Sequence, residues 1–188
     1  TAADAQLLAE TYFNTQCYTQ ALELFEPLSH VQPTAAIYQK IGFCHQQTHA
    51  YAEARHAFER ADLLYPNDLW TLRHLAQTAI HCADYTTALN CYEQMSTRQG
   101  TDTKTVQLGI IRCLIALNRT DEALQRSLQL DLTQPRQPDI MRTAAWVALL
   151  TGKHELADTY LSQLAQSTQL TTADRLNMGH NLWCMKRR

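Results

Sequence analysis

The stretch that decides the fold runs from residue 38 to residue 66 and reads YQKIGFCHQQTHAYAEARHAFERADLLYP. Two antiparallel helices can cross closely only where the side chains between them are small, and Gly42 and Ala54 supply such positions. Phe58 is large enough to fill the space beside this crossing. Pro66 closes the stretch because proline cannot continue a helix. The stretch therefore predicts a hairpin of two short helices.

The same arrangement recurs along the chain at a nearly constant interval. The alanines that take the place of Ala54 are 33, 34, 35 and 34 residues apart, at Ala21, Ala54, Ala88, Ala123 and Ala157. Self-similarity at a period of about 20–50 residues is the sequence signature of a repeat protein. The intervals divide the chain into five repeats, residues 2–34, 35–68, 69–103, 104–137 and 138–171, and a partial sixth, residues 172–188.

The repeating segment resembles the tetratricopeptide repeat (TPR), whose pattern places Trp, Leu-Gly, Tyr, Ala, Phe and Pro at fixed offsets in about 34 residues. In the second repeat these positions hold Tyr38, Ile41-Gly42, His45, Ala54, Phe58 and Pro66. Only His45, where Tyr is usual, departs in kind. The resemblance covers nearly the whole chain. It implies an all-α fold, a right-handed α-solenoid of about eleven helices in which residues 1–188 form one array.

The partial sixth repeat stops where its second helix would begin. Met178-Gly179 resembles the Leu-Gly pair of the repeat, and Leu182 takes the Tyr position. A lone first helix suits a terminal cap, but a cap needs a polar outer face. Trp183 and Cys184 do not supply one. We therefore expect the chain to be a fragment of a longer protein.

The fourth repeat matches the pattern least well. Gln107, Ile111 and Ser127 stand where the aromatic residue, the Gly and the Phe are usual. The segment before it, residues 93–104, is polar and contains Gly100. If the array has a flexible joint, we expect it there.

Two features concern the ends of helices. Pro27 lies inside the second helix of the first repeat and lacks the amide that would bond to Glu23. It predicts that this helix kinks or ends early. Asn118 and Gly152 lie between paired helices, and both residue types tolerate the left-handed backbone conformation that such turns use.

Composition excludes several classes of protein. The 188 residues are 45% hydrophobic and 18% charged, which is typical of a folded domain, and the net charge of −2 gives no basic signal for nucleic acid. The longest apolar run, residues 144–150, is far too short to span a membrane. Six cysteines without a Cys-x-x-Cys pair favour reduced thiols and a cytoplasmic location over disulfides in a secreted protein.

No group of residues indicates a metal, a cofactor or a catalytic centre. His45 and His49 lie four residues apart, but a metal site needs three or four converging ligands, and His45 occupies an aromatic position of the repeat. His154-Glu155 begins like a zinc-protease motif, yet Asp158 stands where the second His is required. Glycine-rich phosphate loops and the Gly-x-Ser-x-Gly motif are also lacking. We expect no enzyme activity, no metal and no cofactor.

In TPR proteins the first helix of each repeat lines a concave groove that holds peptides. The resemblance assigns this role to Lys40, Phe43, Trp70, Arg73, His74, Gln77, Arg112, Arg142 and Trp146. The groove positions hold four cations against two acidic residues, Glu10 and Asp139, which predicts a basic wall. Arginine forks match carboxylates, and aromatic side chains anchor apolar groups. The hypothesis is a groove for an acidic and hydrophobic peptide. The alternative is a set of solvated cations and aromatic residues that only pack between repeats.

Several functions remain open at this point. The leading hypothesis is a non-enzymatic protein–protein interaction module that binds a peptide or partner segment in its groove. The alternative is a structural scaffold that acts through self-association or through docking of a further domain of the same chain. RNA binding, as in pentatricopeptide arrays, is disfavoured because the chain is slightly acidic. Binding of chaperone carboxylate tails is disfavoured because the Lys and Asn pattern of that TPR subclass is absent.

Overall fold

The computed structural model describes residues 2–98, 103–133, 137–167 and 170–186. These residues form eleven α-helices and no β-strand, which confirms the all-α fold. The helices are α1 (Ala2–Asn14), α2 (Tyr18–Val31), α3 (Ala35–Gln47), α4 (Tyr51–Leu64), α5 (Leu69–His81), α6 (Tyr85–Ser96), α7 (Thr103–Ala116), α8 (Thr120–Thr133), α9 (Pro138–Leu150), α10 (His154–Ser167) and α11 (Thr172–Lys186).

The chain divides into two compact halves, Thr1–Gln99 with α1–α6 and Gly100–Arg188 with α7–α11. We call them the N-terminal half and the C-terminal half. The boundary falls within residues 93–104, where the sequence predicted a joint. Gly100 itself lies outside the described residues. A flexible joint and a single continuous array stay predictions.

The two helices of every hairpin are joined by the same turn. Each turn contains one residue with a φ between 57° and 69°, and these residues are Gln16, His49, Ala83, Asn118 and Gly152. The next residue donates its N–H to the carbonyl five residues back, as from Asp84 to Ala79 at 2.8 Å, which ends the first helix in a Schellman motif. The left-handed conformation predicted for Asn118 and Gly152 is confirmed.

The close helix crossing predicted for the second repeat is present, and Phe58 fills the space beside Gly42 as the sequence predicted. A Cβ at Gly42 would lie 2.7 Å from Cε1 of Phe58, well inside van der Waals contact. The Phe58 side chain is fully buried and therefore lies directly against the bare backbone of α3. Ala54 is also fully buried. The absence of a side chain at position 42 is thus needed to accommodate the ring of Phe58.

Pro27 does not end its helix. α2 continues past the proline to Val31, so the early end that the sequence allowed does not occur. Leu28 and Ser29, which follow the proline, are buried and anchor the last turn against the core. The Ser29 hydroxyl also donates a 2.7 Å hydrogen bond to the carbonyl of Glu26. These contacts offset the single backbone hydrogen bond that Pro27 cannot make.

The weakly matching fourth repeat is nevertheless well packed. Ile111, at the usual Gly position, is fully buried, and so is Ser127 at the usual Phe position. The Ser127 hydroxyl donates a 2.8 Å hydrogen bond to the carbonyl of Leu124, so its burial leaves no unpaired donor. Pro135, at the end of this repeat, lies outside the described residues.

Candidate functional site

The residues that the sequence assigned to the groove lie on four first helices of hairpins. In the N-terminal half they are Lys40 and Phe43 on α3 and Trp70, Arg73, His74 and Gln77 on α5. In the C-terminal half they are Arg112 on α7 and Arg142 and Trp146 on α9. They therefore form two groups, one in each half, and each group has its own geometry.

Aromatic rings form a continuous cluster in the N-terminal half. The ring of Phe43 lies at its centre, with centroids 5.5 Å from Phe13, 6.1 Å from Trp70 and 5.6 Å from His74. Trp70 and His74 lie 4.1 Å apart and both contact Phe58 of α4. Trp70 remains 40% exposed. The structure brings three of the predicted residues together and leaves the indole accessible.

His74 is held inside this cluster in its neutral form. Its Nδ1 lies at hydrogen-bonding distance, 2.8 Å, from Oε1 of Gln46. Burial lowers the pKa of His74, and the neighbouring positive charge of Arg73 lowers it further. Such a side chain serves as a packed aromatic group and not as a cation for a ligand.

Lys40 already has an acidic partner. Its Nζ lies 2.7 Å from Oε1 of Glu10 on α1 and 5.6 Å from the ring centroid of Phe25. The hydrogen bond from Lys40 lowers the pKa of Glu10 below its ordinary value. Both side chains are about one-third exposed, so the pair contributes at most about 1 kcal/mol to stability. Its main consequence is that Lys40 is not a free cation.

Arg73 differs from Lys40, the other predicted cation of the N-terminal half, in having no ion pair within the described part of the chain. It lies on the exposed side of α5, one turn from Trp70 and one turn from Gln77. No acidic group among the described residues pairs with it. Arg73 and Trp70 therefore present an arginine and an accessible indole side by side.

The C-terminal half contains a pocket of about 580 Å³ between α7, α9 and α11. Its lining includes three predicted residues and three others, namely Arg112, Arg142, Trp146, Leu108, Asp174 and Asn177. Trp146 is 42% exposed, and Arg112 is exposed with no acidic partner among the residues that the structure describes. We call this the α7–α9–α11 pocket.

Arg142 is fixed on one side of this pocket by Asp174. Its Nε lies 3.0 Å from Oδ2 and 3.2 Å from Oδ1 of the carboxylate, which is almost completely buried. Burial by itself would raise the pKa of Asp174, but hydrogen bonds from the Thr171 backbone and from Arg142 outweigh it, and the pKa lies below its ordinary value. Asp174 is therefore ionised, and its charge is matched to that of Arg142.

Asp174 was missed by the sequence reasoning, although a local signal was present. Thr171 and Asp174 form a capping box at the start of α11, with the Thr171 N–H 2.9 Å from Oδ2 of Asp174 and the Asp174 N–H 3.1 Å from the Thr171 hydroxyl. The Thr-x-x-Asp spacing marks such a cap in a sequence. The pairing of its carboxylate with Arg142, 32 residues earlier, does not follow from that spacing.

These ion pairs reduce the number of unpaired cations in the basic wall that the sequence predicted. Lys40 is matched by Glu10 and Arg142 by Asp174, while Asp139 lies 2.9 Å from Nζ of Lys104. Of the four predicted cations, Arg73 and Arg112 remain without an acidic partner within the described ranges. Among the predicted residues, each half thus presents one such arginine and one accessible tryptophan, Arg73 with Trp70 and Arg112 with Trp146.

Two further observations bear on the kind of site. In the part of the chain that the structure describes, no helix combines the length and the apolar character required to cross a bilayer. Over the same residues, no three His, Cys, Asp or Glu side chains are arranged to hold a metal ion.

Cys44 and Cys113 are packed as small apolar residues, and burial raises the pKa of their thiols to about 12 and about 11.

Comparison with solved structures identifies the architecture. YrrB, described as a TPR protein with an unusual peptide-binding site, superposes with a TM-score of 0.76 at 18% identity, covering 96% of this chain and 91% of that one. The chain has the TPR fold. MamA AMB-1 matches with a TM-score of 0.72 at 17% identity, covering 88% of this chain and 90% of that one.

A TPR protein from Parabacteroides merdae ATCC 43184 matches with a TM-score of 0.63 at 13% identity over 98% of this chain and 72% of its own. No protein-family model and no curated protein sequence matches the chain. At such low identities the likeness to TPR proteins shows the fold alone. What this chain binds has to be inferred from its own side chains.

Proposed function

We propose that this chain is a non-enzymatic protein–protein interaction module that binds a peptide or partner segment along the first helices of its TPR hairpins. The observation that carries the proposal is the α7–α9–α11 pocket, where an unmatched arginine, Arg112, lies with an accessible indole, Trp146, around one open volume. The TPR fold and the peptide-binding site described for YrrB also support the proposal that this chain binds a peptide.

The pocket suits a segment that carries a carboxylate beside an apolar side chain. The guanidinium of Arg112 can bind a carboxylate through two parallel hydrogen bonds. Trp146 offers an apolar face and a single N–H donor, the combination common at binding hot spots. Arg142 is held by Asp174 and therefore shapes the wall of the pocket while adding little net charge.

Arg73 and Trp70 repeat this combination in the N-terminal half. The ligand class that follows is an acidic and hydrophobic peptide, and the partner-binding residues would be Trp70, Arg73, Gln77, Arg112 and Trp146, with Phe43 and His74 supporting the indole of Trp70. Lys40 and Arg142 would act mainly through their intramolecular pairs.

The test is a selection of phage-displayed random peptides on the immobilised chain, followed by affinity measurements on synthetic copies of the enriched peptides. We expect enrichment of Asp or Glu next to aromatic or aliphatic residues. Arg112→Glu should weaken these peptides by at least about tenfold, because it places like charges together.

The matched control for this test is Lys153→Glu. It makes the same change of charge in the same half, at an exposed turn between α9 and α10 outside the pocket. Equal loss of affinity in both variants would show a general charge effect. Unchanged affinity in Arg112→Glu would remove the pocket from the proposed function. Because the six cysteines include no Cys-x-x-Cys pair, which suits a reducing compartment, we place this function in the cytoplasm.

A further inference from the structure

The N-terminal half contains a pocket of about 250 Å³ that is formed by two consecutive hairpins. Its lining comes from α2, α3 and α4, and includes Glu26, His30, Tyr38, Ile41, His56 and Arg60. We call it the α2–α4 pocket. Helix α1 precedes these elements in the same half, and α5 and α6 follow them.

The α2–α4 pocket is separate from the groove that the sequence predicted. Tyr38 and Ile41 line the pocket, whereas Lys40 and Phe43 are the groove positions of the same helix. On a helix, positions 38 and 41 lie one turn apart on one side, and positions 40 and 43 lie on the opposite side. A ligand in this pocket would therefore meet the second helices of the hairpins, with α3 between it and the groove.

Apolar surface forms the floor of the pocket and continues toward the ends of α2 and α4. Ile41 and Ala57 both line the pocket and are buried. Leu63 follows Arg60 by three residues, so it lies one turn further along α4, and it is 74% exposed. Val31, in the last turn of α2, is 71% exposed. Exposed apolar surface beside a pocket is characteristic of protein interaction sites.

Arg60 is held at this pocket by an aromatic ring. Its Cζ lies 5.8 Å from the centroid of the Tyr38 ring, and no acidic group among the described residues pairs with it. A guanidinium that packs over a ring keeps its N–H donors in its own plane, where they can bind both oxygens of a carboxylate. Arg60 is therefore oriented before any ligand arrives, and its charge is unpaired.

The acidic groups around the pocket already have partners. Oε1 of Glu26, on the rim formed by α2, lies 3.3 Å from Nε2 of His45. Oε2 of Glu59 lies 3.4 Å from Nδ1 of His56. The unpaired charge at the opening is thus that of Arg60, and it favours an acidic ligand.

We propose that the α2–α4 pocket binds a segment of a partner protein in which an aromatic side chain enters the pocket and a neighbouring carboxylate pairs with Arg60. The volume of about 250 Å³ exceeds the roughly 150 Å³ that holds a benzene molecule, so a phenyl ring fits. Leu63 extends the apolar contact beyond the pocket. Because the groove lies on the opposite side of α3, the chain can hold two partner segments at once.

The experiment uses a capped dipeptide, acetyl-Phe-Asp-amide, as the probe. It is titrated into the ¹⁵N-labelled 188-residue chain, and the amide signals of Tyr38, Ile41 and Ala57 are followed by NMR. We expect these signals to shift, and Arg60→Gln to weaken binding at this pocket by at least about fivefold through loss of the charged hydrogen bonds. Acetyl-Phe-Asn-amide, which lacks the charge, and acetyl-Ala-Asp-amide, which lacks the ring, should each bind the parent chain at least about fivefold more weakly.

The matched control is Arg175→Gln, which makes the same substitution at an exposed position that lines neither pocket. It should leave the affinity at the α2–α4 pocket within about twofold. Since Arg60 is exposed, Arg60→Gln should keep the amide spectrum of the folded chain apart from local shifts.

The same probe also suits the α7–α9–α11 pocket, so each pocket is followed through its own amides. Loss of the signals near Arg112 alone would reject the proposed function and leave this inference standing. Unshifted signals at Tyr38 and Ala57, or equal affinity of the parent chain and Arg60→Gln, would overturn the inference. A dimer of the chain alone that Arg60→Gln dissociates would also overturn it, because a second copy would then occupy the pocket.

Discussion

The ring of Phe58 lies so close to Gly42 that a single methyl group at position 42 would sit 2.7 Å from its Cε1 atom. Phe58 is fully buried in the core around this crossing. The close packing of α3 against α4 therefore depends on the absence of a side chain at Gly42 as well as on the ring of Phe58.

Gly42→Ala should destabilise the N-terminal half by about 1–3 kcal/mol, because the added methyl group overpacks a filled core. The matched control is Gly179→Ala, at the corresponding position of α11, where no described atom lies within 4 Å of the new Cβ. It should stabilise by up to about 1 kcal/mol through helix propensity. Urea unfolding monitored by circular dichroism measures both. Equal effects of the two substitutions would contradict the role given to Phe58.

Ala83→Gly should stabilise the protein. Ala83 has a φ of 57°, a conformation that costs an L-residue with a Cβ about 1–2 kcal/mol. Glycine removes this strain but loses more backbone entropy on folding, so the net gain should be about 0.5–1 kcal/mol. Gly152→Ala makes the reverse change at the corresponding turn, where φ is 69° and no described atom lies within 4 Å of an added Cβ. Urea midpoints that do not shift in opposite directions would show that the turns are not strained.

Asp174 should make the C-terminal half sensitive to acid. Because its pKa is lowered in the folded state, its contribution is present above the ordinary value of about 4 and is lost as pH falls through the folded value. Asp174→Asn should cost about 1–3 kcal/mol at pH 7, since Arg142 loses a buried charged partner. The same substitution should flatten the dependence of the unfolding free energy on pH below about 4. Parallel pH profiles for the two proteins would exclude this linkage.

His74 should confer a second pH dependence on the N-terminal half. Its folded pKa is lowered by burial, so the unfolded state binds more protons below the ordinary value of about 6.5. Stability is therefore complete above that pH and declines as pH falls through the interval down to the folded pKa. His74→Gln keeps a hydrogen-bonding group near Gln46 and should remove the decline. A histidine pKa at its ordinary value in an NMR titration would refute the prediction.

Much of the fold followed from local sequence. The five alanines and the five left-handed turn residues recur at the same intervals, and each turn residue precedes its alanine by five positions. Asn118 and Gly152 were predicted because their residue types favour this conformation. Gln16, His49 and Ala83 were not predicted to be left-handed, because their residue types suggest this conformation less strongly. Their constant position, five residues before each repeat alanine, would have identified them.

The sequence by itself determined the helical hairpins and their period, because both arise from contacts between residues close together in the chain. The candidate site was decided by tertiary structure. Lys40 and Glu10 are 30 residues apart, Arg142 and Asp174 are 32 apart, and only folding shows that these charges neutralise each other. Arg73 and Arg112 remain unmatched because no acidic side chain of a neighbouring helix is directed toward them among the described residues. The direction of each side chain across packed helices determines which charges remain available to a partner. Spacing in the sequence does not encode that direction.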